Sequence, residues 1–298
     1  MKEKKYISVS AFARKHGISE RTARNYCASG KIEGTFLTGK TWNIPEDTLP
    51  PLRKGAKPRC SPLLAALRQQ KEMKLKGGIY HRTQIDLTYN SNHIEGSRLT
   101  HDQTRYIFET NTIGITDESV NVDDIIETGN HFRCINLVIE RAEEPLTEEL
   151  VKELHYLLKS GTSDSAKDWF AVGDYKRLPN EVGGNPTCPP TQVHAQMKAL
   201  LKEYNARKPK TFEALIDLHQ RFETIHPFQD GNGRVGRLIL FKECLASGFV
   251  PFIITEELKM FYYRGLHEWE HTRGYLLDTC LTAQDHYKAI LDYFEIAY

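Results

Sequence analysis

Apolar residues return every three or four positions along most of this chain. That spacing predicts helices over about 62–76, 79–94, 101–110, 122–142, 147–159, 190–206, 211–225, 233–247, 255–270 and 275–297. Between 160 and 189 the periodicity lapses into a stretch rich in Gly, Asp and Pro. There Phe170–Pro179 and Glu181–Pro186 could pair as a ragged hairpin, with Pro179 confining any strand to an edge. The first sixty residues follow another rhythm. Val9–His16 reads as a short helix with Ser10 as its cap, Gly17-Ile18 as a turn, and Glu20–Ala28 as a second helix capped by Ser19 and stopped by Ser29-Gly30. Two short strands follow, Phe36-Leu37 and Thr41–Pro45, around a turn at Thr38-Gly39-Lys40. The Pro-rich, basic run Leu49–Pro58 reads as a linker. Neither an internal repeat nor a low-complexity tract interrupts this plan.

At 298 residues, 40% of them apolar, the chain can bury a sizeable core in two domains or in one with appendages. No stretch reaches the roughly 18 apolar residues that span a bilayer. The first residues are charged and lead into no apolar signal core. Six cysteines lie scattered at 27, 60, 134, 188, 244 and 280, with no Cys-x-x-Cys pair, which favours free thiols over a disulfide framework or metal cluster. Together these features predict a cytoplasmic protein with no membrane partner. The net charge of +1 conceals an asymmetry: residues 1–60 hold 13 Lys/Arg against 5 Asp/Glu, and the remainder holds 27 against 34. A basic head on an acidic body implies two partners of different kinds.

The densest chemistry lies in His226-Pro-Phe-Gln-Asp-Gly-Asn-Gly-Arg-Val-Gly-Arg237. An apolar stripe of Ala214, Leu215, Leu218, Phe222 and Ile225 ends at His226-Pro227, where proline closes the helix and leaves the imidazole at its rim. Gly231-Asn232-Gly233 frees backbone amides just before a helix starting near Arg234, which makes an anion cradle. Arg234 and Arg237 stand one turn apart and can reach one phosphate chain. Asp230 adjoins the cradle, where a magnesium ion bridging phosphate oxygens needs a carboxylate. The His226/Asp230 pair could also bind a transition metal, but no third ligand is apparent nearby.

This segment resembles the signature of the Fic domain family, HPFx[DE]GNGRxxR, at every specified position, and the likeness extends over about 60–298. The resemblance implies a Fic-type helical bundle with a β-hairpin flap, so the expected fold is mostly α, with the basic head before it as a small winged helix-turn-helix domain. It implies an activity that moves AMP from ATP to a Ser, Thr or Tyr hydroxyl of a target protein, with ATP as substrate and Mg2+ as cofactor. Carried over, His226 is the general base and Asp230 holds magnesium. Gly231, Asn232 and Gly233 cradle the phosphates, Phe228 anchors the loop, Arg234 neutralises the β-phosphate and Arg237 takes the γ-phosphate. The hairpin resembles the family's flap, which adds the target segment as a strand. Here Gly173-Asp-Tyr175 is followed by Lys176 where arginine is expected. Phe261, Tyr262 and Tyr263 include a candidate adenine neighbour, although aromatics at helical spacing are more often core.

Ser91-Asn-His-Ile-Glu95-Gly96 matches the family's inhibitory pattern, [ST]xxxE[GN], and implies a bidentate Glu95–Arg237 pair in the place of the γ-phosphate. The pattern alone is weak, because Ser29-Gly-Lys-Ile-Glu-Gly34 fits it too. The choice of 91–96 rests on its place at the end of a helical stretch, before Ser97-Arg-Leu-Thr100.

In the basic head, Arg21, Thr22, Arg24 and Asn25 on the second helix suit base edges, while Lys31 and Lys40 suit phosphates. The segment resembles the winged helix-turn-helix of excisionase- and MerR-like proteins; a small basic domain that docks protein is the alternative. Such DNA readers usually act as dimers, which adds a homodimer to the expected partners. The expected organisation is therefore residues 1–50 for DNA, 51–60 as linker, 61–110 as a helical region carrying 91–96, and 111–298 as the catalytic domain. Two other functions remain open: a nucleotide-sensing transcription regulator, or the same fold removing AMP or transferring another phosphate-linked group.

Overall fold

Side-chain caps start most of the helices where the apolar periodicity begins. Ser8, Ser19, Ser61, Thr100, Asn121, Thr147 and Thr211 each accept a hydrogen bond from a first-turn backbone N–H. The structure is a computed structural model that describes residues 5–39, 41–48, 50, 61–114 and 119–298. The chain divides into two compact units, 1–59 and 60–298. The run 51–60 read as a linker lies outside the described residues, as do Leu49 and Lys40.

The first unit has the order β1 (Tyr6–Ser8), α1 (Val9–Lys15), α2 (Glu20–Ala28), β2 (Phe36–Thr38) and β3 (Thr41–Pro45). Its antiparallel sheet runs β1-β3-β2, with Ile7 opposite Ile44 and Leu37 opposite Trp42. Strand β1 did not stand out in the sequence: it is three residues long and runs straight into α1. That junction also moves the cap of α1 from Ser10 to Ser8, whose hydroxyl accepts from the Ala11 amide. Val9, Phe12, Ala13, Ala23, Cys27, Ile32 and Ile44 form a small separate core.

The second unit is helical: α3 (Pro62–Glu72), α4 (Ile79–Ile94), α5 (His101–Thr110), α6 (Val122–Glu140), α7 (Glu148–Lys159), α8 (Pro190–Ala206), α9 (Phe212–Ile225), α10 (Asn232–Ser247), α11 (Lys259–His267) and α12 (Gly274–Tyr293). Helix α10 is its axis, packed against α4, α6, α7 and α9. Fourteen of its sixteen residues are buried, so every charge it carries must find a partner inside the protein. The hairpin is smaller than expected. Only β4 (Glu181–Val182) and β5 (Asn185–Pro186) pair, across a two-residue turn at Gly183-Gly184 with both glycines in the left-handed region. Residues 170–179 form turns instead, because Tyr175 and Lys176 turn inward to the body of the bundle. Among the described residues no helix is long and apolar enough to cross a membrane.

Candidate active site

Helix α9 ends on His226, which adopts the left-handed conformation (φ 53°, ψ 61°) while its amide still donates to the Phe222 carbonyl. Pro227 follows and bars further α-helix. The His226 ring places Nδ1 3.3 Å from the Glu223 carbonyl oxygen. A carbonyl can only accept, so Nδ1 carries the proton and Nε2 keeps its lone pair. Burial lowers the imidazole below its ordinary value and Lys176 adds to this; the Glu223 hydrogen bond, Glu95 and Asp230 oppose the shift. The ring is thus neutral near neutral pH, with Nε2 as the acceptor.

The loop beyond His226 is held from within. Phe228 is fully buried and stacks on His155, with centroids 4.0 Å apart and planes 6° from parallel. Asn232 uses both ends of its amide on the Phe228 main chain: Oδ1 accepts from the Phe228 N–H at 2.7 Å and Nδ2 donates to its carbonyl at 2.8 Å. Its side chain therefore closes the loop, and only its backbone is left to face a ligand. Gly231 caps α10 at φ 79°, a conformation in which a Cβ is strained and would crowd Leu158. The first-turn amides of α10 have no helical partners, and Gly231 has no side chain to cap them. The sequence predicts an anion cradle at this N-terminus, and its uncapped amides are compatible with that role.

Around this turn lies a ring of charges, of which Lys159, Glu127 and Arg234 are buried and Asp230 and Asp164 partly exposed. Lys159, 2% exposed, reaches Asp230 Oδ2 at 2.6 Å, Asp164 at 3.1 Å, and also Glu127. Arg234 bridges Glu127 and the same Asp230 oxygen, the latter at 3.1 Å. Burial alone would push the Asp230 carboxyl up, but Arg234 and Lys159 hold it well below the usual carboxylate range. His155 accepts the Gly173 amide on Nδ1 at 2.9 Å, so its Nε2–H donates to the Asp230 carbonyl at 3.2 Å. Desolvation and the neighbouring Lys159 lower this ring to about 3, which keeps it neutral in that role.

Arg237, one turn further along α10, points to α4. Its Nε donates to Ser91 Oγ at 3.0 Å, and its Nη2 donates to the Ser91 carbonyl at 2.8 Å and to Glu95 Oε1 at 2.7 Å. The Glu95 contact is thus a single N–O pair and not the bidentate fork expected; Nε and the second Nη2 proton go to Ser91. Glu95 is the C-cap of α4, and Gly96 follows it at φ 98°. A Cβ on Gly233 would collide with Glu95 Oε1, so this carboxylate lies directly over the glycine turn. His226, Asp230, Gly231, Asn232, Gly233, Arg234, Arg237, Ser91 and Glu95 therefore converge on one locus.

Of the aromatic trio, Tyr262 is buried and hydrogen-bonded to His219 Nε2 at 2.6 Å, whereas Phe261 and Tyr263 are 56% and 41% exposed. Among the described residues no three His, Cys, Asp or Glu side chains are grouped to hold a metal on their own. In the first unit, Arg21, Arg24 and Asn25 are exposed along α2, and Arg24 pairs loosely with Glu20 at 3.1 Å. Thr22 is half-buried, its hydroxyl 2.8 Å from Ser19 Oγ at the helix cap. Lys40 lies outside the described residues.

Residues 145–243, which contain the whole 226–237 loop, match the sequence model of the Fic/DOC family, so the chain carries a Fic/DOC family domain. It is similar to the protein adenylyltransferase Fic of Nematostella vectensis, 27% identical over 188 residues that span 61% of this chain and 42% of that protein. It is also similar to protein adenylyltransferase fic-1 of Caenorhabditis elegans, 27% identical over 60% of this chain and 35% of that protein. The chain thus spans less than half the length of these relatives. In fold it resembles a Fic domain-containing signaling protein from Bacteroides thetaiotaomicron: the TM-score is 0.62 at 24% identity, over 77% of this chain and 94% of that one. It likewise resembles residues 134–508 of Fic-1 from C. elegans, with a TM-score of 0.60 at 22% identity over 78% of this chain and 72% of that one.

Proposed function

We propose that the protein is an autoinhibited adenylyltransferase that moves AMP from ATP to a Ser, Thr or Tyr hydroxyl of a protein. The observation that carries this reading is the contact of His226 Nδ1 with the Glu223 carbonyl, which assigns the tautomer of the ring. Its Nδ1–H is committed to the Glu223 carbonyl, and Nε2 is left basic at the edge of a helix N-terminus flanked by two buried arginines. A nucleotide sensor needs the cradle and the arginines but has no use for a base. In the reaction, Nε2 accepts the proton of the target hydroxyl, whose oxygen bonds to the α-phosphorus as the bond to the pyrophosphate oxygen breaks. The amides of residues 232–234 and the guanidinium groups of Arg234 and Arg237 take the negative charge of the phosphates.

Asp230 fits a magnesium ligand. It is an ionised carboxylate with a half-exposed side chain whose Oδ2 is clamped by Lys159 and Arg234, and phosphate and water would complete the coordination. Bound there, the ion would neutralise charge on the α- and β-phosphates. Glu95 over Gly233 is the brake, because its carboxylate takes Arg237 and occupies the place of the γ-phosphate.

The first unit supports a second role, as a winged helix-turn-helix that binds DNA through Arg21, Arg24 and Asn25. The observations in its favour are the two-helix arrangement with its β2–β3 hairpin, the exposed α2 face and the basic charge of this segment. Incubation with labelled ATP, magnesium and cell extract tests the enzyme. Label should transfer with Glu95→Gly and be absent with Glu95→Gly/His226→Ala.

A further inference from the structure

A non-glycine residue in the left-handed region is strained, and within a buried loop its surroundings hold it there. His226 is such a residue, and the two carbonyls that flank it are both engaged by Lys176. The Lys176 amide donates to the Pro227 carbonyl at 2.9 Å, and its Nζ reaches the Ile225 carbonyl at 3.5 Å. The same Nζ donates to Asn180 Oδ1 at 2.7 Å and to Thr187 Oγ1 at 2.6 Å. These three contacts match the three donors of an ammonium group, and the side chain is 3% exposed. Asn180 and Thr187 bracket the hairpin, with the Thr187 amide bonded to the Asn180 carbonyl. Asn180 Nδ2 reaches on to the Phe228 carbonyl at 3.0 Å, beyond His226.

We propose that Lys176 is a positioning residue that sets the backbone and ring orientation of His226 and fastens the base of the β4–β5 hairpin to it. The inference rests on reading His226 as the base, but the contacts exist without nucleotide, so it can be tested apart from activity. An arginine, the residue expected at this position, would carry a planar fork too wide to reach all three acceptors from the same stem. The Lys176 charge also bears on the ring. Lys176 favours its neutral form, whereas Glu95, Asp230 and the Glu223 carbonyl favour the charged one.

The experiment follows the His226 ring by 15N NMR in the full chain labelled at histidine, with His226→Gln to assign the signal. In the unsubstituted protein the ring should be the Nδ1–H tautomer and titrate below an ordinary histidine. In Lys176→Met the midpoint should rise and the two tautomers mix, while Lys176→Arg should recover part of the shift. Thr187→Val, which removes one acceptor of Nζ, should move both readouts the same way by less. In a Glu95→Gly background, Lys176→Met should lower kcat about 10- to 100-fold with KM for ATP unchanged, since sub-ångström misplacement of a reacting group has effects of that order. Unchanged tautomer and midpoint in both Lys176→Met and Thr187→Val overturn the inference. If Glu95→Gly itself transfers no label, the enzymatic reading fails, yet the NMR result still decides the part played by Lys176.

Discussion

Replacing Glu95 with glycine removes a single N–O contact, and its consequences can be worked through. The Glu95 carboxylate meets Arg237 Nη2 at 2.7 Å, with side chains 29% and 6% exposed respectively. A hydrogen bond between charged groups contributes about 1.5–3 kcal/mol. Partial exposure of Glu95 places this pair near the lower figure, because solvent screens it. A triphosphate that competes for Arg237 must displace that contact, and about 1.4 kcal/mol corresponds to a tenfold change in affinity. Glu95→Gly should therefore tighten ATP binding about tenfold by calorimetry and raise automodification. The ligand-free protein should melt a few degrees lower, at roughly 2–4 °C per kcal/mol for a unit of this size. Complete loss of partners for a buried arginine would cost about 3–5 kcal/mol. The loss here is smaller because Ser91 Oγ and its carbonyl still hold Arg237. An affinity within twofold of the unsubstituted protein, with automodification unchanged, would refute the brake.

Three other outcomes follow from the same contacts. Activity should be full above the His226 midpoint and fall as pH drops through it; that midpoint lies below the ordinary histidine value, so a pH–rate profile retaining activity somewhat below pH 6.5 is expected. Phe228→Ala should cost about 3–5 kcal/mol in denaturant unfolding, since the ring is fully buried against His155; a loss below 1 kcal/mol would mean that the loop is anchored elsewhere. Binding of duplex DNA should weaken steeply with salt, and Lys31→Ala/Lys40→Ala should lower the slope of log affinity against log salt by about 2, whereas Arg21→Ala should relax the sequence preference; salt-insensitive binding would point to a protein partner for this unit.

How much of this was legible in the sequence depends on how far apart the cooperating residues lie. The grouping of 226–237 is legible because the segment is contiguous, and that of Ser91 with Glu95 because one helical turn separates them. The clamp on Asp230 could not, since Glu127 and Lys159 lie on α6 and α7, far away along the chain. One signal was available. In α7 the buried face runs Leu150, Val151, Leu154, His155, Leu158 and Lys159, so a histidine and a lysine fall on an otherwise apolar stripe. Polar residues at such positions must find buried partners. The hairpin is shorter than the sequence suggests because nothing local in 170–179 reveals that Tyr175 and Lys176 are buried against the bundle. The Lys176 substitution was visible, but its contacts to Ile225 and Pro227 join residues some fifty positions apart.

The central claim is that one neutral imidazole takes a proton from an incoming alcohol beside a bound triphosphate. Single-turnover transfer from ATP labelled at the α-phosphate, measured in Glu95→Gly with and without His226→Ala, tests it most directly. The account predicts stable label on protein in the first and none in the second, with equal ATP affinity in both. Equal labelling of the two proteins, or none in either despite bound ATP, would contradict it.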